Sequence, residues 1–567
     1  MKSSSRVRIA HLTGPTATIQ NTPPLVTSNK ARARHGLPDR TDAEGQPLRF
    51  DALRAQRLAA PVKVYVEQFS AHPLESDAAD LYGPPDGYLD AQGQFSTERR
   101  NPADRAVYEI ELRPEDGLYP LPYMATQADG SAWEEEAATP GAPDARSRQG
   151  FFPDGSRSFE EIDRFSIDRY GLVGTISSQA DVDFYRVAPP AGYRNGLPAA
   201  QRTDKGEGDI PPETRGRDFN GYKPYHLATA PARPSLAKLT NDTQAIADSG
   251  QYDGLVWTQG SPQVEETAYW FNLLIDTAVP IACNAAQRPH GQGSADGPQN
   301  IIDSVGFIRS KVWQDENGSN RCGVVVVQEQ QYFAAREVMK VDARPGGYRA
   351  AGGHGGILGQ TSHLGNVSLM YVPAYNHTYR SGVNIQRLPA SVQAAQRREG
   401  KLELVHVAIK EDARRLTEQA IPSVSILKDG SYFDEEYGST PDDARDLLAL
   451  IEHKLSLGRL TGFVTEGLVP YGQLPSGVRE RLLRRATFSG IPVVRVGRGA
   501  PEGFADPFPL AIAGSNLTAI KARLLLMACL MKFGSLPVAA DPARPTDDER
   551  AATIAAIAEY QRVFDTH

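Results

Sequence analysis

The hydrophobic positions of this 567-residue chain change rhythm along its length. A strand-like run opens it at 7–12 (VRIAHL), and a second follows at 62–69 (VKVYVEQF). From about 84 to 220 the texture turns to Gly, Pro, Asp and Arg, broken by short runs such as AVYEIELRP at 106–114 and DVDFYRVAPP at 181–190. Alternation with a period of two between turn residues predicts antiparallel β structure. The stretch 203–220, TDKGEGDIPPETRGRDFN, reads as an exposed linker.

After 221 the order becomes strand, glycine loop, helix. YDGLVWTQG at 252–260 is a short apolar run ending in glycine, and 261–279 follows with Val264, Ala268, Phe271, Leu274 and Ile275 at helical spacing. CGVVVVQEQ at 322–330 is a continuous apolar run of the kind buried in a parallel sheet. LELVHVAI, GFVTEGLVPYG and GIPVVRVGRG repeat the strand texture after 400, and 517–533 reads as a helix with a buried face. Such alternation argues for an α/β fold, in which ligands sit beyond the carboxyl ends of the strands. RLPASVQAAQRREGK at 387–401 reads as the connection between two α/β domains.

Composition and charge narrow the partners. The net charge is -8 and no long Lys/Arg block exists, so neither nucleic acid nor an anionic membrane is expected as a partner. No run of about 18 apolar residues occurs, and the first fifteen residues lack the apolar stretch of a signal peptide. Cys283, Cys322 and Cys529 are odd in number and far apart, which points to a reducing compartment, the cytoplasm by default. Histidines are scattered without metal-ligand spacing, so no metal is expected. GGHGGILG lacks the Lys-Ser/Thr ending of a phosphate loop, and no Gly-x-Ser-x-Gly elbow appears. Cys283 reads as a buried thiol at a strand end.

Six segments in order resemble the L-asparaginase/glutaminase-like amidohydrolases. YDGLVWTQGSPQVEETAYWF is similar to the family's strand, its Thr-His-Gly-Thr-Asp-Thr loop and its Glu-Glu-Thr-Ala helix. NAAQRPHGQGSADGPQNIIDSV at 284–305 resembles its RP…SADGP.N stretch, and CGVVVVQEQQYFAAREVMKV at 322–341 its strand followed by AR.V.K. GYRAAGGHGGILG at 347–359 resembles its glycine-rich turn; 490–499 and 514–530 resemble its small C-terminal domain. RVRIAHLTGPTATIQN resembles the first strand and its Thr-Gly-Gly-Thr-Ile loop. Pairing on Thr13-Gly14 makes Thr16 the nucleophile, and pairing on Thr-Ile makes it Thr18. Thr16 is preferred. A rival Gly-Thr-Ile at Thr175 precedes DVDFYRVAPP, whose alternation reads as part of a β insert.

The resemblance implies a threonine that attacks an amide carbon and forms an acyl-enzyme, with no cofactor. It puts Ser261 at the second threonine position and Lys340 at the lysine position. A hydroxyl is a weak nucleophile until a base takes its proton, and a lysine serves as base when burial and dipoles favour its neutral form. The amides after Gly260 fall at a predicted helix start, where an anion is welcome. Plainer readings stand beside these: Ser261 as an N-cap with a capping-box glutamate, Lys340 as a solvated lysine, and Thr16 and Thr18 as strand threonines. Glu265 and Glu266 read as dipole complements and packing aids rather than catalytic acids.

Two departures matter. Where the family has an aspartate that contacts the substrate's ammonium or orients the lysine, this chain has Pro262, which does neither but suits a first helical turn. Gln259 replaces the signature histidine. The expected substrate is therefore a small-molecule lactam, imide or other amide rather than free asparagine, contacted by Gln259, Gly260 and Pro262. Ser76 and Asp77, and Thr229 and Arg233, are further substrate-binding candidates on the loop that the insert interrupts. The predicted architecture is a larger α/β domain from 1–83 plus 221–385, a β-rich insert at 84–220, a linker at 386–400 and a smaller α/β domain at 401–567. By resemblance the protein forms a homodimer or homotetramer, with Glu502 or Arg498 reaching a neighbour's site. The alternative is an inactive scaffold that binds a ligand or partner.

Overall fold

A computed structural model describes residues 7–13, 54–57, 62–66, 84–90, 95–112, 118–121, 182–186, 235–288, 296–344, 346–351, 354–428, 444–468, 472, 474, 477–498 and 508–567. Thr16, Thr18, Ser76, Asp77, Thr175, Thr229, Arg233 and Glu502 lie outside the described residues.

The main sheet has eight strands: β1 (Val7–Thr13), β2 (Val182–Arg186), β3 (Gly254–Thr258), β4 (Ile281–Asn284), β5 (Val324–Gln328), β6 (Gln331–Ala334), and, after a small hairpin of β7 (Val338–Lys340) and β8 (Tyr348–Ala350), β9 (Ile357–Thr361) and β10 (Val367–Leu369). Their order across the sheet is β10-β9-β6-β5-β4-β3-β1-β2. β2, β1, β3, β4 and β5 run parallel, and the far three join antiparallel. The parallel strands are covered on both faces, which is why β3, β4 and β5 are apolar without alternation. Helix α1 (Ser235–Asp248) leads into β3. Helix α2 (Val264–Leu274) follows β3 and packs Phe271 edge-on to Trp257, with ring centroids 4.8 Å apart. Helix α3 (Gly297–Ser310) returns the chain from β4 to β5.

Two assignments differ from the sequence reading. The run containing 182–186 was expected among the insert's antiparallel strands, yet it pairs parallel with β1, Phe184 beside Ile9. Period-2 alternation also suits an edge strand of a parallel sheet, and β2 lies at that edge. Conversely, Val62–Val66 lies apart from the main sheet, in a four-stranded antiparallel sheet with Arg105–Leu112, Gly87–Leu89 and Phe95–Ser96.

The segment read as a connection is the first arm of a hairpin, β11 (Ser391–Arg398) with β12 (Lys401–Ala408). Glu399 and Gly400 turn it with φ of 51° and 79°, the left-handed pair that a tight hairpin needs. Beyond it, β13 (Ser423–Lys428), β14 (Thr461–Gly467), β15 (Val493–Gly497) and β16 (Ile512–Ala513) form a parallel four-stranded sheet. Helices α4 (Arg445–Ser456) and α5 (Gly477–Phe488) join its strands, and α6 (Ala519–Phe533) and α7 (Asp547–Phe564) close the chain. No described helix is long and apolar enough to cross a membrane.

Helix α6 ties this second sheet to the first. Lys521, 1% exposed, donates from Nζ to the carbonyls of Glu265 (2.6 Å) and Ala335 (2.7 Å). Burial lowers its ammonium to about 8, against the opposing pull of Glu265, Glu266 and Glu337. Arg336 adds a second tie, with Nε on the His567 carbonyl at 2.7 Å and the guanidinium on Asn516 Oδ1.

Two predictions concern stability. Lys521→Met removes both hydrogen bonds that tie α6 to the buried Glu265 and Ala335 carbonyls and should lower the unfolding free energy by about 3 kcal/mol; a urea midpoint equal to wild type would sink the tie. Asp303, on α3, is buried, and desolvation raises its carboxyl from 3.8 to about 6. The stability linked to this raised group is present below pH ~4 and is lost as pH rises through about 6, because the folded state holds the extra proton. Asp303→Asn should therefore match wild type below pH ~4 and exceed it by up to ~3 kcal/mol at pH 7. Denaturation curves with the same offset at both pH values would refute this.

Candidate active site

Register brings the relevant loops together. Thr13, the last residue of β1, pairs with Thr258, the last of β3, and Thr258 pairs with Asn284, the last of β4. The three loops therefore leave the same carboxyl edge side by side. A chain of hydrogen bonds locks that edge. Ser304 Oγ donates to the Asn300 carbonyl (2.7 Å) and accepts from Asn284 Nδ2 (3.0 Å). Asn284 Oδ1 accepts from Thr258 Oγ1, and His11 Nε2 lies 2.8 Å from the same hydroxyl. Each hydroxyl has one proton, so the direction runs back to a proton on His11 Nε2.

The family-like motifs divide into scaffold and chemistry. Asp296, from the SADGP stretch, accepts the backbone N–H of Gln287 and Arg288, at 3.0 and 2.8 Å. Asn300 Nδ2 donates to the Ala285 carbonyl and to Gln328 Oε1. These side chains hold the loop after β4 against β5. Gln259 is 2% exposed, and its Oε1 accepts from the Trp257 indole N–H at 2.9 Å.

Ser261 stands three residues past the end of β3, in the turn that enters α2. The helix cap is Gln263, without a side-chain cap bond, so the simple N-cap reading of Ser261 does not hold. Pro262 likewise lies in the turn before the helix and not in its first turn, because Val264 is the first helical residue. Proline has no N–H, which leaves Ser261 and Gln263 as the backbone donors of that turn. Gly260 contributes its carbonyl, which accepts from Val264 N at 3.1 Å.

The second half of the site arrives on the hairpin of β7 and β8, where Lys340 pairs directly with Tyr348. Opposite residues of an antiparallel pair project from one face, and both side chains reach Ser261: Lys340 Nζ is 3.0 Å from Ser261 Oγ, and Tyr348 OH donates to the same oxygen at 2.7 Å. Gly347 permits the turn, since a Cβ there would lie 2.2 Å from the Asp342 carbonyl oxygen. The Lys340 N–H donates to Glu265 Oε2, fixing the hairpin to α2. Glu265 is 4% exposed, and burial raises its carboxyl above the ordinary value against the charge of Lys521 and the N–H of Lys340. It thus packs the hairpin against α2, beyond complementing the helix dipole. Glu266 pairs with Arg523 of α6.

The structure therefore joins Ser261 with Lys340, and adds Tyr348, which the sequence reading passed over inside its glycine-rich turn. Tyr348 stands eight residues after Lys340, and only the hairpin register makes them neighbours. Arg498 follows β15 in the second sheet and is exposed. Cys283 is buried in β4, and burial raises its thiol far above the ordinary value, in keeping with an inert core residue. Among the described residues no group of three or more His, Cys, Asp or Glu could hold a metal ion.

Comparison with known proteins gives the family. The family model "Asparaginase, N-terminal" matches residues 173–346, a span that holds β2 to β7, starts beyond Thr16 and Thr18 and ends before Tyr348. A glutaminase-asparaginase of Acinetobacter glutaminasificans is 36% identical over 106 residues, 19% of this chain and 29% of that protein. A glutaminase-asparaginase of Pseudomonas fluorescens biotype A is 30% identical over 309 residues, 53% of this chain and 69% of that protein. L-asparaginase 2 of Escherichia coli is 30% identical over 154 residues, 27% of this chain and 40% of that protein. The crystal structure of a probable cytoplasmic L-asparaginase from Campylobacter jejuni superposes with a TM-score of 0.41 at 23% identity, over 59% of this chain and 83% of that one. With 69% of one relative matched at 30% identity, and the family model spanning the segments that carry Ser261 and Lys340, the chain belongs to the asparaginase family.

Proposed function

We propose that the chain hydrolyses an amide C–N bond through an acyl-enzyme formed on a hydroxyl, with no metal or organic cofactor. The observation that carries this reading is the 3.0 Å contact between Lys340 Nζ and Ser261 Oγ at the carboxyl edge of the sheet. Amide hydrolysis needs a nucleophile and a base that takes its proton. Lys340 and Ser261 supply the base, directly or in relay. The nucleophile is Thr16, or Thr18, in the loop after β1. Support comes from the Thr13–Thr258 register, since paired strands lie about 4.8 Å apart and the two loops start as neighbours.

In the first half-reaction the threonine oxygen bonds to the amide carbon and its proton passes toward Lys340. The tetrahedral intermediate then expels the nitrogen as ammonia or an amine, which carries a proton away. In the second, water attacks the ester and the threonine recovers its proton. Gly260 borders the reacting atoms, and Gln259 holds the turn from below. Thr229 and Arg233, ahead of α1, complete the proposed substrate contacts; Ser76 and Asp77, which follow in sequence the strand Val62–Val66 of the separate sheet, lose the placement beside β1 that suggested them.

The relatives' names support a carboxamide as substrate. Pro262 removes the carboxylate expected to meet an α-ammonium, and the Glu265 carboxylate is buried and taken by the Lys340 N–H. The preferred substrate is therefore an amide, imide or lactam without that ammonium, such as succinamate in place of asparagine. Leu364, Met370, Tyr371 and Val372 form exposed apolar surface around the β9–β10 edge, which supports assembly into a homodimer or homotetramer. A sedimentation profile of single chains only would refute the assembly.

The purified chain should release ammonia from succinamate or glutaramate with a higher kcat/KM than from L-asparagine or L-glutamine. Ser261→Ala and Lys340→Met should each lower kcat by roughly 100-fold or more at nearly constant KM. Intact-mass trapping should place an acyl adduct in the loop after β1, on Thr16 or Thr18. Turnover of no carboxamide, and no ring opening of a lactam, would favour the ligand-binding scaffold instead.

A further inference from the structure

Tyr348 is a buried phenol whose hydroxyl meets Ser261 Oγ at 2.7 Å. A serine hydroxyl has one proton and two lone pairs. Tyr348 occupies one lone pair. Burial raises the phenol above its ordinary value, so it remains a donor throughout the neutral range. Lys340 Nζ lies 3.0 Å from the same oxygen, in line to take the serine proton. The second lone pair is then left for an incoming O–H. Ser261 is only partly buried, so that approach is open to a small molecule.

We infer that Tyr348 is a positioning residue for the reaction: by donating to Ser261 Oγ it commits the serine proton to Lys340 and turns the serine into a one-way proton relay. In the relay the attacking threonine or water gives its proton to Ser261 Oγ while the serine proton moves to Lys340 Nζ. The attacking oxygen meanwhile bonds to the acyl carbon. Without the phenol, the serine hydroxyl rotates and gives its proton in other directions. The hairpin register makes the arrangement specific, because Lys340 and Tyr348 are directly paired and approach Ser261 from one face. Where the family has an aspartate beside the second hydroxyl, this chain has Pro262, and the phenol supplies an orienting contact from another element.

The inference rests on the amidohydrolase reading for its biological chemistry, so its test includes a readout that needs no substrate. Wild type, Tyr348→Phe and Lys340→Met are treated with phenylmethanesulfonyl fluoride, and Ser261 labelling is followed by peptide mass. In this reaction the Ser261 Oγ–S bond forms, fluoride leaves and the serine proton goes to Lys340. Wild type should label at Ser261, and Tyr348→Phe should label roughly ten-fold more slowly at an unchanged Tm, the size of effect expected from one lost hydrogen bond. With succinamate, Tyr348→Phe should lose kcat by a similar factor at constant KM. Hydroxylamine, a stronger acceptor of the acyl group than water, should restore part of the turnover. Equal labelling of Tyr348→Phe and wild type, or an unlabelled Ser261 in wild type, overturns the inference. So does slower labelling that comes with a lowered Tm and a raised KM, which marks packing alone. Tyr348-dependent labelling of Ser261 in a protein that turns over no amide would sink the amidohydrolase reading and leave the relay standing.

Discussion

One oxygen atom organises this molecule. Ser261 Oγ receives Lys340 and Tyr348 from a hairpin that is remote in sequence, and it does so at the carboxyl edge of a parallel sheet. The hairpin is itself anchored to α2 by the Lys340 N–H on Glu265. A buried carboxylate is costly unless hydrogen-bonded, and here its partners are the backbone of the β7–β8 hairpin and, nearby, the charge of Lys521. The polar groups that Glu265 needs for its own burial are the ones that hold Lys340 in place.

The second sheet serves the same geometry from behind. Lys521 bonds to the carbonyl of Glu265 at the start of α2 and to the carbonyl of Ala335 ahead of the hairpin. It therefore grips both segments that carry the site. Arg336, one residue further, is held by Asn516 and the His567 carbonyl. Movement of α6 would thus reach Ser261 and Lys340 together, which explains why a helix far from the chemistry contains a fully buried lysine.

The departures from the family pattern leave the turn into α2 in place. Pro262 alters what the turn offers a ligand, while the Gly260 carbonyl still starts α2. Gln259 keeps the turn tied to the core through the Trp257 indole. Between β1 and β3 the chain makes a long excursion that includes a separate antiparallel sheet, yet β1 and β3 still pair in register.

Much was legible in the chain itself. Continuous apolar runs marked β3, β4 and β5, because strands covered on both faces exclude polar residues. Helical spacing marked α2, and ordered motifs marked Ser261 and Lys340. The sequence could not place 182–186 beside β1, because an edge strand of a parallel sheet and a strand of an antiparallel insert share the same alternation. Nor could it find the hairpin within 387–408, whose polar residues read as a connection. Tyr348 was invisible for a related reason: local sequence reports what a residue is, but only strand register decides what it faces. The chain determined the elements and the reactive groups, and tertiary pairing alone decided that a lysine and a tyrosine would converge on one serine, because hydrogen bonding between distant segments depends on positions in space that no local pattern encodes.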